Sequence, residues 1–192
     1  QEHSVTAAGT TYRLDEPFFV LATQNPVEQE GTYPLPEAQL DRFMFNLWLD
    51  YPSFAEEVQI VKSTTTEKAP IVQPIINAQE IVAFQNLVRR VPVADNVIEY
   101  AVKLVNATRP KTSEVKIIKD YLSYGAGPRA SQYMILGAKT RAALSGRPTP
   151  EIADVRAIAV SVLRHRIVTN FNAEAENRST TDIITELIKE VK

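Results

Sequence analysis

Apolar residues follow two rhythms along this chain. Through Tyr51 they come in short unbroken runs, and beyond it they recur every three or four positions. The first run, Phe18-Phe19-Val20-Leu21-Ala22, stops at Thr23-Gln24-Asn25-Pro26. The second, from Arg42 through Phe43-Met44-Phe45-Asn46-Leu47-Trp48-Leu49, stops at Asp50-Tyr51-Pro52. Both are strand-length, rich in aromatic and branched residues, and bounded by turn formers, which predicts two buried strands. Between them a polar loop leads to a short helical signal, Pro36 to Arg42, with proline at its first position and Glu37 at its positive end. Ahead of them, Ser4-Val5-Thr6 and Thr11-Tyr12-Arg13-Leu14 flank Ala8-Gly9 and predict a hairpin. Asp15-Glu16-Pro17 reads as the turn that follows it.

After Pro52 the pattern becomes helical. Ser53 with Glu56 has capping-box spacing and precedes Phe54, Val58 and Val61 at helical intervals. Residues 63–78, with a threonine run and two prolines, read as a loop. Ile81, Phe84 and Val88 mark a helix stopped before Pro92. Asp95 caps another, with Val97, Ala101, Leu104 and Val105, stopped before Pro110. Residues 111–126 are mixed, with a short apolar segment. Tyr124 to Ser131 then opens a helix with Ile135, Ala138 and Ala142 on one face, closing at Gly146. Thr149-Pro150-Glu151 starts a helix carrying Val155, Ile158 and Val162 to Arg164-His165-Arg166. Thr181 to Val191, with Ile184, Leu187 and Ile188, is the last.

Composition narrows the function classes. At 192 residues the chain can bury a core in one or two domains. A net charge of −2 and a pI near 5.8 predict no broad nucleic-acid or anionic-membrane footprint. The absence of cysteine excludes disulfides, thiolate metal sites and a Cys nucleophile. His3 and His165 alone leave little for zinc. No apolar run approaches the roughly 20 residues of a membrane span, and no signal peptide is visible, so a cytoplasmic protein is expected. The chain begins at Gln1 and not Met, which reads as a fragment or a processed product.

Complete catalytic motifs are missing. A phosphate loop needs Gly-x-x-x-x-Gly-Lys-Ser/Thr between a strand and a helix. Gly137-Ala138-Lys139-Thr140 fails that pattern and falls inside a predicted helix. Asp15-Glu16 has only Leu14 as its apolar approach, too little for a Walker B strand. What remains are isolated candidates. Asn25 stands at a strand tip, where open α/β sheets place ligands, or serves as an Asx-turn residue. Arg42 is either a solvated charge or a partner of Asp41. Arg129, in the first turn of the helix opened by Pro128, could face an anion together with the helix N-terminus, or pack and pair with a carboxylate. His165, beside two arginines at a helix end, reads as a dipole-complementing charge.

Three of these clusters together resemble the MoxR family of AAA+ ATPases. Ala22-Thr23-Gln24-Asn25-Pro26 with Glu28-Gln29-Glu30-Gly31-Thr32-Tyr33-Pro34-Leu35-Pro36-Glu37-Ala38-Gln39-Leu40-Asp41-Arg42-Phe43 looks like the family's most characteristic block. Tyr124-Gly125-Ala126-Gly127-Pro128-Arg129-Ala130 resembles its lid motif, which often has Ser where Gly127 stands. Val5-Thr6 and the hairpin are similar to the segment after the Walker B helix. The resemblance implies an α/β plus all-α fold. Residues 1–51 would be the end of the P-loop core with a partial sheet, 52–78 a connection, and 79–192 the helical lid. It implies sensor 1 at Asn25, an arginine finger for the neighbouring subunit at Arg42, and sensor 2 at Arg129. It further implies ATP and Mg2+ as cofactors, a homo-oligomeric ring of hexameric type, and a von Willebrand-type partner with protein clients. Walker A, Walker B and the strand between the two apolar runs would lie upstream of Gln1, so the ATP site would be half present and the chain inactive alone.

Two other classes compete with this reading. One is a non-catalytic helical protein-interaction module. The other is a ring ATPase acting on DNA, which the acidic pI and the lack of a basic cluster oppose.

Overall fold

The computed structural model describes residues 4–24, 35–66 and 73–192. Two compact units emerge, one of Gln1–Phe19 with Leu47–Phe84 and one of Val20–Asn46 with Gln85–Lys192.

In the first unit, β1 (Ser4–Ala7) and β2 (Thr10–Arg13) form the expected antiparallel hairpin, with Ser4 opposite Arg13 and Ala7 opposite Thr10. Ala8 and Gly9 both have positive φ, 49° and 80°. That pair of left-handed residues gives the two-residue turn whose twist matches the strands it joins. Helix α2 (Phe54–Thr64) starts at the predicted cap, where Glu56 Oε2 accepts from Ser53 N at 2.9 Å and from Ser53 Oγ at 2.6 Å. Among the described residues of this unit none is buried, and Leu49, Tyr51 and Phe54 are exposed.

The expected strands at Phe18–Ala22 and Phe43–Leu49 do not form. Neither run is part of a β-ladder among the described residues, and Phe19, Leu21, Leu47 and Trp48 are exposed. A strand exists through hydrogen bonds to a neighbour. Apolar, aromatic residues supply the propensity for one but not the partner.

The second unit is helical. Its helices are α1 (Glu37–Leu40), the end of α3 (Ala78–Arg90), α4 (Asp95–Ala107), α5 (Lys116–Tyr121), α6 (Pro128–Leu144), α7 (Ile152–Leu163), α8 (Phe171–Ala175) and α9 (Thr180–Glu190). A small antiparallel pair joins β3 (Leu122–Tyr124) to β4 (Val168–Thr169). Sequence pattern anticipated α3, α4, α6, α7 and α9. It left α5 as mixed chain and missed α8, both too short to show a periodicity. The core lies between α4, α6, α7 and α9, where Leu104, Met134, Val155, Val162, Ile184 and Leu187 are all fully buried. Helix α6 turns Ala130, Gly137, Ala138 and Ala142 inward, so its neighbours approach its backbone closely. A Cβ at Gly137 would stand 2.5 Å from Ile158 Cδ1 of α7, so a larger residue there would push that side-chain tip aside.

The turn from α6 to α7 is fixed twice. Gly146, at φ 69°, ends α6, and Arg147 N donates back to the Ala142 carbonyl at 2.9 Å. Asp154 then accepts from Arg147 through both oxygens, Nη1 to Oδ2 at 2.8 Å and Nη2 to Oδ1 at 2.6 Å, and from Glu151 N at 2.9 Å. Asp154 is buried, and the Arg147 hydrogen bonds hold its carboxyl below the usual range against the opposing effect of burial. Arg141 Nε, on α6, stands 3.5 Å from the same carboxylate. Arg147 is about a third exposed, so the loss of Asp154 costs its hydrogen bonds but does not strand a buried charge. Asp154→Ala is therefore expected to destabilise the chain by about 1–3 kcal/mol, read as a lowered urea midpoint, with Asp154→Asn losing less.

Candidate functional site

Arg129 owes its position to the turn ahead of α6. The Ala126 amide donates to Thr108 Oγ1 at 2.9 Å, Thr108 Oγ1 donates to the Val105 carbonyl at 2.7 Å, and Arg109 Nε donates to the Ala126 carbonyl at 3.1 Å. Thr108 is fully buried at the end of α4. Gly125 lies so close to that helix end that a Cβ would stand 2.3 Å from the Thr108 carbonyl oxygen. Only glycine fits, which is the local reason for the first glycine of Tyr124-Gly125-Ala126-Gly127-Pro128-Arg129. Pro128 then supplies the first helical position, where no amide is needed.

The half-buried Arg129 guanidinium meets the Asp41 carboxylate, its Nη1 donating to Oδ2. The other oxygen, Oδ1, accepts from Arg166 Nε at 3.0 Å. Of the two alternatives for Arg42, a solvated charge or a partner of Asp41, the second is thus corrected. Asp41 sits between two guanidiniums from the helical unit.

Arg166 is the residue that pattern reading missed. Its side chain is 1% exposed. Nη2 donates to the carbonyls of Asp41, at 2.8 Å, and Phe43, while Nη1 donates to those of Met44, at 3.3 Å, and Val162. With Nε on Asp41, all five N–H bonds of the guanidinium are used. Burial pulls its pKa down, and the Asp41 carboxylate opposes that. Tyr133, one turn beyond Arg129 on α6, lays its ring 5.1 Å from the Arg166 guanidinium carbon and donates its hydroxyl to the Arg42 carbonyl at 3.0 Å.

His165 completes the arrangement and also corrects an expectation. It is not a charge complementing the end of α7. Its Nε2 lies 3.1 Å from the Phe43 carbonyl, and its Nδ1 is buried without a hydrogen-bond partner among the described residues. Burial and the Arg166 charge lower its pKa to about 4. The neutral Nε2–H tautomer is the form that donates to the carbonyl. Four consecutive carbonyls, those of Asp41, Arg42, Phe43 and Met44, therefore each accept from a side chain of α6 or of the end of α7. Asn46 N adds a backbone bond to the Ser161 carbonyl at 2.9 Å.

Arg42 itself is exposed, and among the described residues its guanidinium has no hydrogen bond or ion pair. The backbone around it is held, and the side chain is left over. Asn25 lies outside the described residues. Lys139, within α6 as expected, donates to the Arg89 carbonyl at 3.2 Å. Chemically, the arrangement offers two guanidiniums suited to phosphate oxygens: Arg129, which would have to leave Asp41, and Arg42, which has no partner to leave among the described residues. The signal that could have flagged Arg166 was three adjacent cationic or titratable residues at the end of a predicted helix. Sequence could not say that one of them points inward.

Comparison with known proteins gives family and fold. Residues 1–45 match the ATPase family associated with various cellular activities (AAA), and residues 114–187 match the AAA lid domain. The whole chain is 39% identical to 58% of YeaC, an uncharacterized protein of Bacillus subtilis, and 36% identical to 51% of the chaperone MoxR1 of Mycobacterium tuberculosis. A crystal structure from Cytophaga hutchinsonii, assigned provisionally as an ATPase, superposes with a TM-score of 0.92 at 39% identity, covering all of this chain and 58% of that one. The chain thus spans little more than half the length of the curated relatives it matches. These likenesses bear out the α/β plus all-α fold class, a piece of an AAA core with small sheets followed by a helical lid.

The His165 geometry sets a pH dependence. A folded-state pKa of about 4 against an ordinary 6.5 means the unfolded chain takes up the proton first. The corresponding stability is whole above pH 6.5 and is lost as pH falls through about 4. His165→Gln, which keeps a donor for the Phe43 carbonyl and does not titrate, is expected to flatten the decline of the urea midpoint over that interval. An unchanged slope would remove the role assigned to His165.

Proposed function

Because the chain belongs to the AAA family of ATPases, as part of a MoxR-type member, we propose that it supplies the sensing and trans-acting half of an ATP-hydrolysing site. In this reading Arg42 is the arginine finger presented to the neighbouring subunit, Arg129 is sensor 2 in its own subunit, and Asn25 is sensor 1. Residues 1–51 form the end of the core, 52–78 the connection and 79–192 the lid. The complete protein hydrolyses ATP with Mg2+ as a homo-oligomeric ring and uses the cycle to remodel or mature other protein complexes, its clients met with a von Willebrand-type partner. It works in the cytoplasm. Among the described residues no helix is long and apolar enough to cross a membrane.

The observation that carries this reading is the state of Arg42. It is an exposed arginine without a partner among the described residues, on a backbone held at four consecutive carbonyls. A surface arginine kept only for solubility needs no such support. One that must reach a phosphate on another molecule needs a firm base and a free head. Arg129 fits the nucleotide from its own side, since a terminal phosphate would offer it three acceptor oxygens in exchange for one on Asp41.

The chemistry is electrostatic. Phosphoryl transfer gains from charges placed where the γ-phosphate oxygens develop charge, and an arginine donated in trans contributes on the order of 10³–10⁵ in rate in GTPases. Bound ATP with Mg2+ supplies the reacting phosphoanhydride, and these residues orient and stabilise it. No phosphate loop occurs in this sequence, so the isolated chain is expected to bind Mg-ATP weakly and hydrolyse none. In the full-length protein Arg42→Ala should lower kcat by about 10³-fold or more while leaving ATP binding intact. Steady-state kinetics with equilibrium nucleotide titration checks both halves, and normal turnover would sink the assignment.

A further inference from the structure

An exposed arginine without a partner among the described residues, such as Arg42, is aimed by the backbone beneath it. The bonds that fix that backbone come from one side chain more than any other. Of the five donors on Arg166, one reaches its own helix, at the Val162 carbonyl, and four reach Asp41, Phe43 and Met44. A residue that merely finished α7 would spend its donors on the last carbonyls of α7. We infer that Arg166 is a positioning residue for Arg42, fixing the segment from which that side chain reaches the neighbouring subunit's nucleotide. The inference rests on the reading of Arg42 as a trans-acting finger.

Tyr133 belongs to the same device, since its hydroxyl holds the carbonyl of Arg42 itself. Asp41 ties in Arg129, so the arginine proposed to read the subunit's own nucleotide shares a carboxylate with the clamp under the finger it offers to a neighbour. The span is short. Arg129 and Tyr133 lie one turn apart on α6, and Arg166 follows the end of α7, which packs against α6. Movement of this pair of helices would carry the finger segment with it, because every carbonyl from 41 to 44 is attached to them.

Mixing subunits of the full-length protein tests where the damage from an Arg166 variant is felt. Arg166→Gln should lower kcat on the order of 10²-fold, the scale of a misplaced catalytic group, with KM for ATP little changed. Its own site stays intact, so the fault lies in the finger it offers. Mixed one to one with Asn25→Ala subunits, whose fingers are sound, it should regain roughly a quarter of wild-type turnover, the share of interfaces pairing a sound site with a sound finger. Mixed with Arg42→Ala subunits it should regain none. Recovery with Arg42→Ala and not with Asn25→Ala would place Arg166 in its own subunit's site and overturn the inference, as would wild-type turnover in the variant. Failure of the control mixture, Arg42→Ala with Asn25→Ala, would instead remove the trans reading of Arg42, and the inference with it. Should Arg166→Gln not assemble, Tyr133→Phe, which deletes one hydroxyl, is expected to lose roughly fivefold in kcat, about one hydrogen bond's worth. It should complement in the same pattern, and full activity in that variant would overturn the inference.

Discussion

A buried guanidinium is the constraint on which the second unit depends. Taking an arginine out of water carries a desolvation cost of several kcal/mol, and it is tolerated only when every donor finds an acceptor and a counter-charge is near. Arg166 meets both conditions through one short stretch of chain, the carboxylate and carbonyl of Asp41 and the carbonyls of Phe43 and Met44, with Val162 completing the set. Few arrangements of that stretch satisfy five donors at once. The amides of residues 41–43 close turns back to Glu37, Gln39 and Leu40 at the end of α1, and the carbonyl side of the stretch takes its partners from this demand. Tyr133 adds a donor to the Arg42 carbonyl, which Arg166 does not reach, and neutral His165 adds a second donor to the Phe43 carbonyl.

Much of the helical unit could be read from the chain. The intervals Val97, Ala101, Leu104, Val105 and Val155, Ile158, Val162 are core positions as expected, and Gly146 does end its helix in a left-handed conformation. These features are local, set by period, cap and turn chemistry, and so they are visible in sequence. The hairpin at Ala8-Gly9 was legible for the same reason. The two apolar runs were not, because a strand is a relation between segments and propensity reports only one of them. The polar site was the least legible. Asp41 was the obvious neighbour for Arg42, yet it turns to Arg129 and Arg166, separated from it by 88 and 125 positions. Long-range pairing of charges leaves no periodicity to find. Burial of Arg166 reverses the ordinary expectation for an arginine at a helix end.

The first unit illustrates the opposite balance. Its hairpin and α2 satisfy their backbone locally, yet no described residue in it is buried. Phe54, Val58 and Val61 recur at helical spacing on α2 and still face solvent to a large degree. Contiguous exposed apolar residues of this kind are normally covered by another surface. The chain spans little more than half the length of its curated relatives. The lid-like unit differs because its helices cover one another.

Charge counting around Asp41 supports the proposal that this corner meets a phosphate. Two guanidiniums, Arg129 and Arg166, share a single carboxylate, so among the described residues one positive charge is left uncompensated within the cluster. Arg42 adds a second from the adjacent position in the chain, with no carboxylate of its own among the described residues. Arg166 cannot respond to an arriving anion, because its donors are committed to buried carbonyls. Arg129 can, being half-buried and held by one carboxylate oxygen. If it leaves for a phosphate, Asp41 keeps Arg166 as its counter-charge and the segment under Arg42 keeps its carbonyl bonds. The arrangement thus separates a cation free to exchange partners from one that holds the structure while the exchange takes place. Asp41 makes that separation possible by accepting from each on a different oxygen.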